Sequence, residues 1–181
     1  MIDTDELVRR NAEFAAGESF TGLTIRGTGN LRVVGCVDSR VDPSHVLGLK
    51  LGEATVIRNV GGRVTPATVR TLSMLVKVSR ANSDGRPQGD SHVAILHHTG
   101  CGMRDLATFP EALAEYFEIP VKDLSSKAIV DPAASVHVDV EVVKRVLPAG
   151  VFVSGIVYDV ATGLIQIVVP AARIGSIGRP R

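Results

Sequence analysis

The sequence predicts an α/β fold: a mostly parallel central β-sheet with an added antiparallel strand, flanked by helices. Three observations carry this prediction. Apolar, β-branched runs at 31–37, 54–58, 92–97 and 151–159 have the near-continuous hydrophobicity of strands buried on both faces. Segments of helical length, each opened by a capping residue or proline, separate them, as parallel crossovers require. A last run at 164–169 follows Val160-Ala161-Thr162-Gly163, a hairpin signal, and therefore adds antiparallel to its predecessor.

The elements follow in order. Asp3 or Thr4 caps a helical arm over 3–16, with Asp5 and Glu6 at its positive end and Gly17 behind it. Its stripe of Leu7, Phe14 and Ala15 packs either on a second subunit or on its own domain. Residues 18–30, broken by Gly22, Gly27 and Gly29, form a loop before the first strand. Pro43 opens a short helix through 51 that carries His45, Val46 and Leu47. After the strand at 54–58, Asn59, Gly61 and Gly62 form a turn. Thr65-Pro66 starts a helix to residue 80, with Val69, Leu72, Met74, Leu75 and Val76 facing the sheet. Residues 81–91 form a polar loop.

Beyond the third strand, helical sequence over 103–118 is interrupted at Pro110, and 119–135 is irregular. Asp131-Pro132 begins a helix through 147, with Val136, Val140, Val143 and Val146 on its buried side and His137 off that stripe. Gly150 ends the segment. No repeat or boundary divides the 181 residues, so 1–181 reads as a single domain.

Composition narrows the function classes. A net charge of +1 gives no electrostatic case for nucleic acid, and the short basic end Gly178-Arg-Pro-Arg181 reads as a solvated terminus. No apolar run is long enough to cross a membrane, and the N-terminus lacks an apolar signal core. These features place the protein in the cytoplasm, where two cysteines read as metal-binding thiols rather than a disulfide.

Those cysteines, Cys36 and Cys101, each follow a strand-forming run. Both therefore arrive beyond the carboxyl edge of the sheet, where ligand sites of parallel sheets form. Cys36, His98 and Cys101 make a zinc-type set: two thiolates and an imidazole suit Zn(II), and three protein ligands leave the fourth tetrahedral position open. The spacing His98-x-x-Cys101 lets two ligands share one tight turn, with Gly100 and Gly102 supplying backbone freedom. Asp38 lies two residues beyond Cys36, on the same face of an extended chain. Arg40 can hold it through a bidentate fork. His45 fits no ligand spacing, His92 reads as structural, and His97 points opposite to its neighbour His98.

With these residues in view, the chain resembles the β-class carbonic anhydrases. The shared pieces are Cys36-Val-Asp-Ser-Arg-Val-Asp-Pro43, Arg58-Asn-Val-Gly-Gly62, His98-Thr-Gly-Cys-Gly102 and Gly155-Ile-Val-Tyr-Asp-Val-Ala-Thr-Gly163, in family order. The resemblance implies one Zn(II) per chain and reversible hydration of carbon dioxide to bicarbonate and a proton by a zinc-bound hydroxide. It selects His98 over His97 as the ligand. It implies that Asp38 orients the hydroxide, that Arg40 keeps Asp38 ionised and off the metal, and that the Gly102 N–H holds a substrate oxygen. In a closed, inactive form of the family, Asp38 becomes the fourth ligand. The resemblance further implies a homodimer, often paired into a homotetramer, with the cleft at the subunit interface.

Two departures from the family stand out. Some members place a glutamine in the loop before the first strand; here residues 27–30 read Gly-Thr-Gly-Asn, and only Asn30 offers an amide. Members with a regulatory bicarbonate site use a tryptophan three residues before the first cysteine, where Val33 stands in a chain without tryptophan. Relatives that hydrolyse carbonyl sulfide or carbon disulfide share the zinc chemistry, so the motifs leave that substrate class open beside carbon dioxide. A non-catalytic zinc-binding module is a third reading, although structural zinc takes four closed ligands and only three stand here, beside an Asp38–Arg40 pair.

Overall fold

The computed structural model describes residues 1–25, 27–82 and 90–175. Most of the polar loop expected at 81–91 and the basic C-terminal end lie outside the described residues. Among the described residues, five strands form one sheet in the order β2-β1-β3-β4-β5. Strands β1 (Leu31–Cys36), β2 (Ala54–Asn59), β3 (His92–His98) and β4 (Phe152–Tyr158) are parallel, and β5 (Ile165–Arg173) runs antiparallel to β4. This is the architecture expected from the hydrophobic runs and the 160–163 hairpin.

Register decides where the chemistry lies. Leu31 is level with both Ala54 and His92, so β1, β2 and β3 finish together at one carboxyl edge. Strand β1 ends at Cys36 rather than at Val37, which turns outward and is 51% exposed. The first cysteine is thus the last residue of its strand.

Among the described residues, the α-helices are α1 (Thr4–Ala16), α2 (Pro43–Val46), α3 (Pro66–Ala81), α4 (Pro110–Phe117) and α5 (Pro132–Val146). Four of them begin with proline, whose fixed φ suits the first turn and whose missing N–H is needed nowhere there. Side-chain caps define four starts among the described residues: Asp3 accepts from Glu6 N, Asp42 from Ser44 N, Thr65 from Thr68 N, and Asp131 from Ala133 and Ala134 N. Pro110 therefore opens a helix instead of interrupting one, because Gly102–Thr108 before it is a 3₁₀ segment. The stretch expected to be irregular contains a further 3₁₀ segment, Val121–Lys127. The helix after Pro43 stops at Val46, well short of 51.

The core packs α5 and α3 on the sheet through Val34, Leu72, Val93, Ile95, Val136, Val140, Val143 and Val153. Two residues assigned to it by periodicity lie outside: Met74 is 56% and Val146 is 42% exposed. Each sits at the edge of its stripe, where a turn of 3.6 residues carries the side chain past the seam. Leu147 takes the place of Val146 in the core. Helix α1 buries no residue in this chain, and Leu7, Val8 and Phe14 remain exposed.

Candidate metal centre

Cys36 closes β1, His98 closes β3, and Cys101 lies in the turn that follows. Their ligand atoms lie within 4.8 Å of one another. The two Sγ atoms are 3.9 Å apart and both cysteines are free. His98 Nδ1 stands 2.9 Å from the Thr99 carbonyl oxygen, which can only accept. Nδ1 therefore carries the proton, and Nε2 presents a bare lone pair. That Nε2 is buried and has no hydrogen-bond partner.

A buried acceptor without a donor is costly, and one facing two thiols is explained by a bound cation. Two sulfurs and one imidazole nitrogen suit zinc. Without a cation the pair of thiols cannot ionise together. A hydrogen bond from Cys101 draws the Cys36 thiol well below its ordinary range, with help from the Asp38 N–H, while burial opposes it. The contact with Cys36 and burial then push Cys101 upward. A dication among these atoms would hold both as thiolates.

Asp38 and Arg40 form a fork at the rim. Asp38 Oδ1 accepts from Arg40 Nε at 3.0 Å and from the Arg40 backbone N at 2.9 Å, and Oδ2 accepts from Nη2 at 2.6 Å. The hydrogen bonds from the Arg40 side chain, then from its backbone, hold the Asp38 carboxyl well below the usual carboxylate range. Its Oδ2 lies 4.0 Å from His98 Nε2, on the side of the Cys36–His98–Cys101 cluster. Arg40 Nη2 also donates to the Gly100 carbonyl at 3.0 Å, which ties the fork to the ligand turn.

The turn has its own anchor. Thr99 N–H donates to Tyr158 O at 2.9 Å, its hydroxyl donates to Asp159 Oδ1 at 3.1 Å, and it accepts from Val160 N at 3.1 Å. Gly100 has φ +61°, which an L side chain would strain. Gly102 does not adopt that conformation, and a Cβ built on it would meet nothing within 4 Å. Its contribution is open space rather than turn freedom. A cavity of about 240 Å³ beside the ligands is lined by His98, Thr99, Cys101, Met103, Arg104 and Ile129, among others.

The remaining histidines fall elsewhere. His97 faces α5, with Nδ1 2.8 Å from Ser135 Oγ. His92 Nε2 meets Ser154 Oγ at 2.8 Å, while His45 and His137 are exposed. Asn30 precedes β1 and lies at the opposite edge of the sheet from Cys36, roughly 20 Å along the strand at its usual rise. Within one chain its amide is not part of the site.

Arg58 belongs to the Arg58-Asn-Val-Gly-Gly62 piece, and the sequence assigns it no role. Its guanidinium donates from Nε to Cys36 O at 2.8 Å, from Nη2 to Asp38 O at 2.8 Å and from Nη1 to Asp42 Oδ2 at 2.7 Å. It clamps the backbone that carries the first cysteine and the fork. The available signal was a charged residue inside an otherwise apolar strand run.

Comparison with known proteins places these features. The carbonic anhydrase family model matches residues 31–118. The chain is 32% identical over 177 residues to β-carbonic anhydrase 1 of Mycobacterium tuberculosis, covering 94% of this chain and 100% of that protein. It is 29% identical over 110 residues to a carbon disulfide hydrolase of an Acidianus strain, covering 59% of this chain and 48% of that enzyme. Its fold matches the crystal structure of a Streptococcus mutans carbonic anhydrase with a TM-score of 0.67 and 29% identity, over 93% of this chain and 99% of that one.

Proposed function

Because the chain belongs to the β-carbonic anhydrase family, we propose that it catalyses reversible hydration of carbon dioxide to bicarbonate and a proton, with one zinc held by Cys36, His98 and Cys101. The single observation that carries this reading is the Asp38–Arg40 fork set 4.0 Å from the unpartnered His98 Nε2. A purely structural zinc site would need no ionised carboxylate there. When bound, zinc supplies Lewis acidity and a water-derived nucleophile near neutral pH.

The chain's own residues do the rest. Asp38, kept ionised by Arg40, accepts a hydrogen bond at Oδ2 from the attacking water and turns a lone pair toward the carbon of the substrate. The Arg40 fork holds that carboxylate back from the ligand cluster. Released, Asp38 would become the fourth ligand and close the site. The Gly102 N–H donates to a substrate oxygen, and the open space beside this glycine leaves room for that approach. Arg58 keeps Cys36 and Asp38 in fixed relation through their carbonyls.

The apolar face of α1, unburied on its own protomer, supports a homodimer or homotetramer with the arm on a second copy. Light scattering showing a monomer at micromolar concentration would count against it. Two free thiols support a cytoplasmic location.

The deciding experiment is stopped-flow hydration of carbon dioxide, run beside sulfide release from carbonyl sulfide and carbon disulfide. The likeness to the Acidianus enzyme favours the sulfur substrates as a second reading. The end-to-end likeness to the mycobacterial protein favours carbon dioxide. Rapid hydration, abolished by Cys36→Ala, supports the proposal; sulfide release with slow hydration would replace it with the second reading.

A further inference from the structure

Beneath the ligand turn lies a second set of charged and polar groups that the proposed reaction does not use. Arg63, His97 and Asp139 are 1%, 3% and 1% exposed. They come from the loop after β2, the end of β3 and the middle of α5. Asp139 Oδ2 accepts from Arg63 Nε at 2.7 Å and from Val64 N at 3.1 Å, and it lies 3.2 Å from His97 Nε2. Its Oδ1 accepts from Arg63 Nη2 at 3.3 Å. The guanidinium lies over the Phe117 ring at 5.0 Å and also donates to Lys127 O at 2.7 Å.

His97 Nε2 has two neighbours, Asp139 Oδ2 and the Gly62 carbonyl at 3.2 Å. Both are acceptors, so this nitrogen carries a proton and bridges them. Nδ1 meets Ser135 Oγ, four residues before Asp139 on the same helix.

A buried ion pair is weak support for stability by itself, since its desolvation cost can exceed its Coulombic gain. What matters here is where the carboxylate reaches. One arm runs through Val64 and Arg63 to Gly62, which lies so close to β1 that a Cβ on it would stand 2.8 Å from Cys36 N. The other arm runs through His97 to its chain neighbour His98. One carboxylate thus grips the segments that adjoin two proposed ligands, which arrive on separate strands.

We propose that Asp139 is a positioning residue for the metal centre: by holding Arg63, Val64 and His97 together, it sets the separation of Cys36 and His98 before any metal binds. The inference rests on the zinc reading above. Preorganisation of this kind strengthens metal binding because less ordering remains to be done on binding.

The test uses the full chain and three substitutions. Asp139→Asn keeps the shape but presents a donor where Arg63 or Val64 needs an acceptor. Ser135→Ala removes the Nδ1 partner of His97 and leaves the ion pair alone. Val143→Ala, one turn further along α5 in the core, is the control for general destabilisation. The readouts are zinc affinity by chelator competition and the absorption spectrum of the cobalt-substituted protein. Asp139→Asn should bind zinc about tenfold more weakly and shift the cobalt ligand-field bands. Ser135→Ala should move both in the same direction by less, and Val143→Ala should lose thermal stability with both unchanged. An Asp139→Asn protein with parental zinc affinity and cobalt spectrum would overturn the proposal. So would a Val143→Ala protein that loses as much affinity. If Asp139→Asn does not fold, Ser135→Ala decides, and parental values there overturn it. A parent chain that holds no zinc would instead overturn the reading on which the inference rests.

Discussion

Replacing Gly62 by alanine tests the geometry around Cys36 with a single methyl group. Gly62 has φ +66°, and a Cβ on it would lie 2.8 Å from Cys36 N, 2.9 Å from Gly35 C and 3.1 Å from Leu96 O. All three atoms are backbone, held in the β1–β3 ladder, so no side-chain rotation relieves the overlap. The left-handed conformation costs an L residue about 1–2 kcal/mol. Forcing a methyl against packed atoms adds about 1–3 kcal/mol. The expected loss is therefore about 2–5 kcal/mol, a large share of the ~5–15 kcal/mol that a domain of this kind holds. Guanidinium unfolding of parent and variant, each zinc-loaded and metal-free, measures it. The metal-free midpoint should fall, and the extra stability gained with zinc should shrink, because relief comes by moving Cys36. Gly102→Ala serves as the contrast: its Cβ meets nothing within 4 Å and its φ is not left-handed, so stability should hold within about 0.5 kcal/mol. A Gly62→Ala protein that loses under about 1 kcal/mol and keeps its full zinc stabilisation would refute this reasoning.

Three further outcomes are expected. Metal analysis of Cys36→Ala, His98→Ala and Cys101→Ala should find zinc lost from each, and full zinc in all three would remove the ligand assignment. Asp38→Ala and Arg40→Ala should keep zinc yet lose most carbon dioxide hydration in stopped flow, with the double variant no worse than either single one, since the pair acts as a unit. Stability against acid should report Asp139. Burial opposes its charge, but His97 and Arg63 outweigh this and leave its pKa below the ordinary carboxylate value. Its contribution is therefore fully present above the unfolded carboxylate pKa of about 3.9 and is lost as pH falls through the lower folded value. Urea midpoints between neutral pH and pH 3 should fall for the parent and flatten for Asp139→Asn, and parallel curves would refute the assignment.

Local chemistry explains how much of this molecule was legible in the chain. Strand runs, proline-opened helices and the 160–163 hairpin are short-range signals, and they led to the observed sheet. The cluster of Cys36, His98 and Cys101 was legible because two strand ends in a parallel sheet share an edge, and the register places them there. Stripe edges were misjudged at Met74 and Val146, where helix rotation alone could not say how far the partner surface extends.

Sequence alone thus determined the sheet's mostly parallel character, the starts of α1, α2, α3 and α5, and the meeting of Cys36, His98 and Cys101, since residue type and local spacing fix the elements and the ends of parallel strands share an edge. Only the tertiary structure decided which polar residues lie inside. Asp139 occupies the same buried face of α5 as Val136, Val140 and Val143, and a valine-rich stripe gives no hint that it contains a charge. Its partners come from other segments: Arg63 stands 76 residues away and His97 lies on β3. Arg58 likewise finds Cys36 O and Asp38 O across 22 and 20 residues. Such contacts depend on three-dimensional register between segments rather than on local preference, and a buried charge is tolerated only where folding delivers its partners to it.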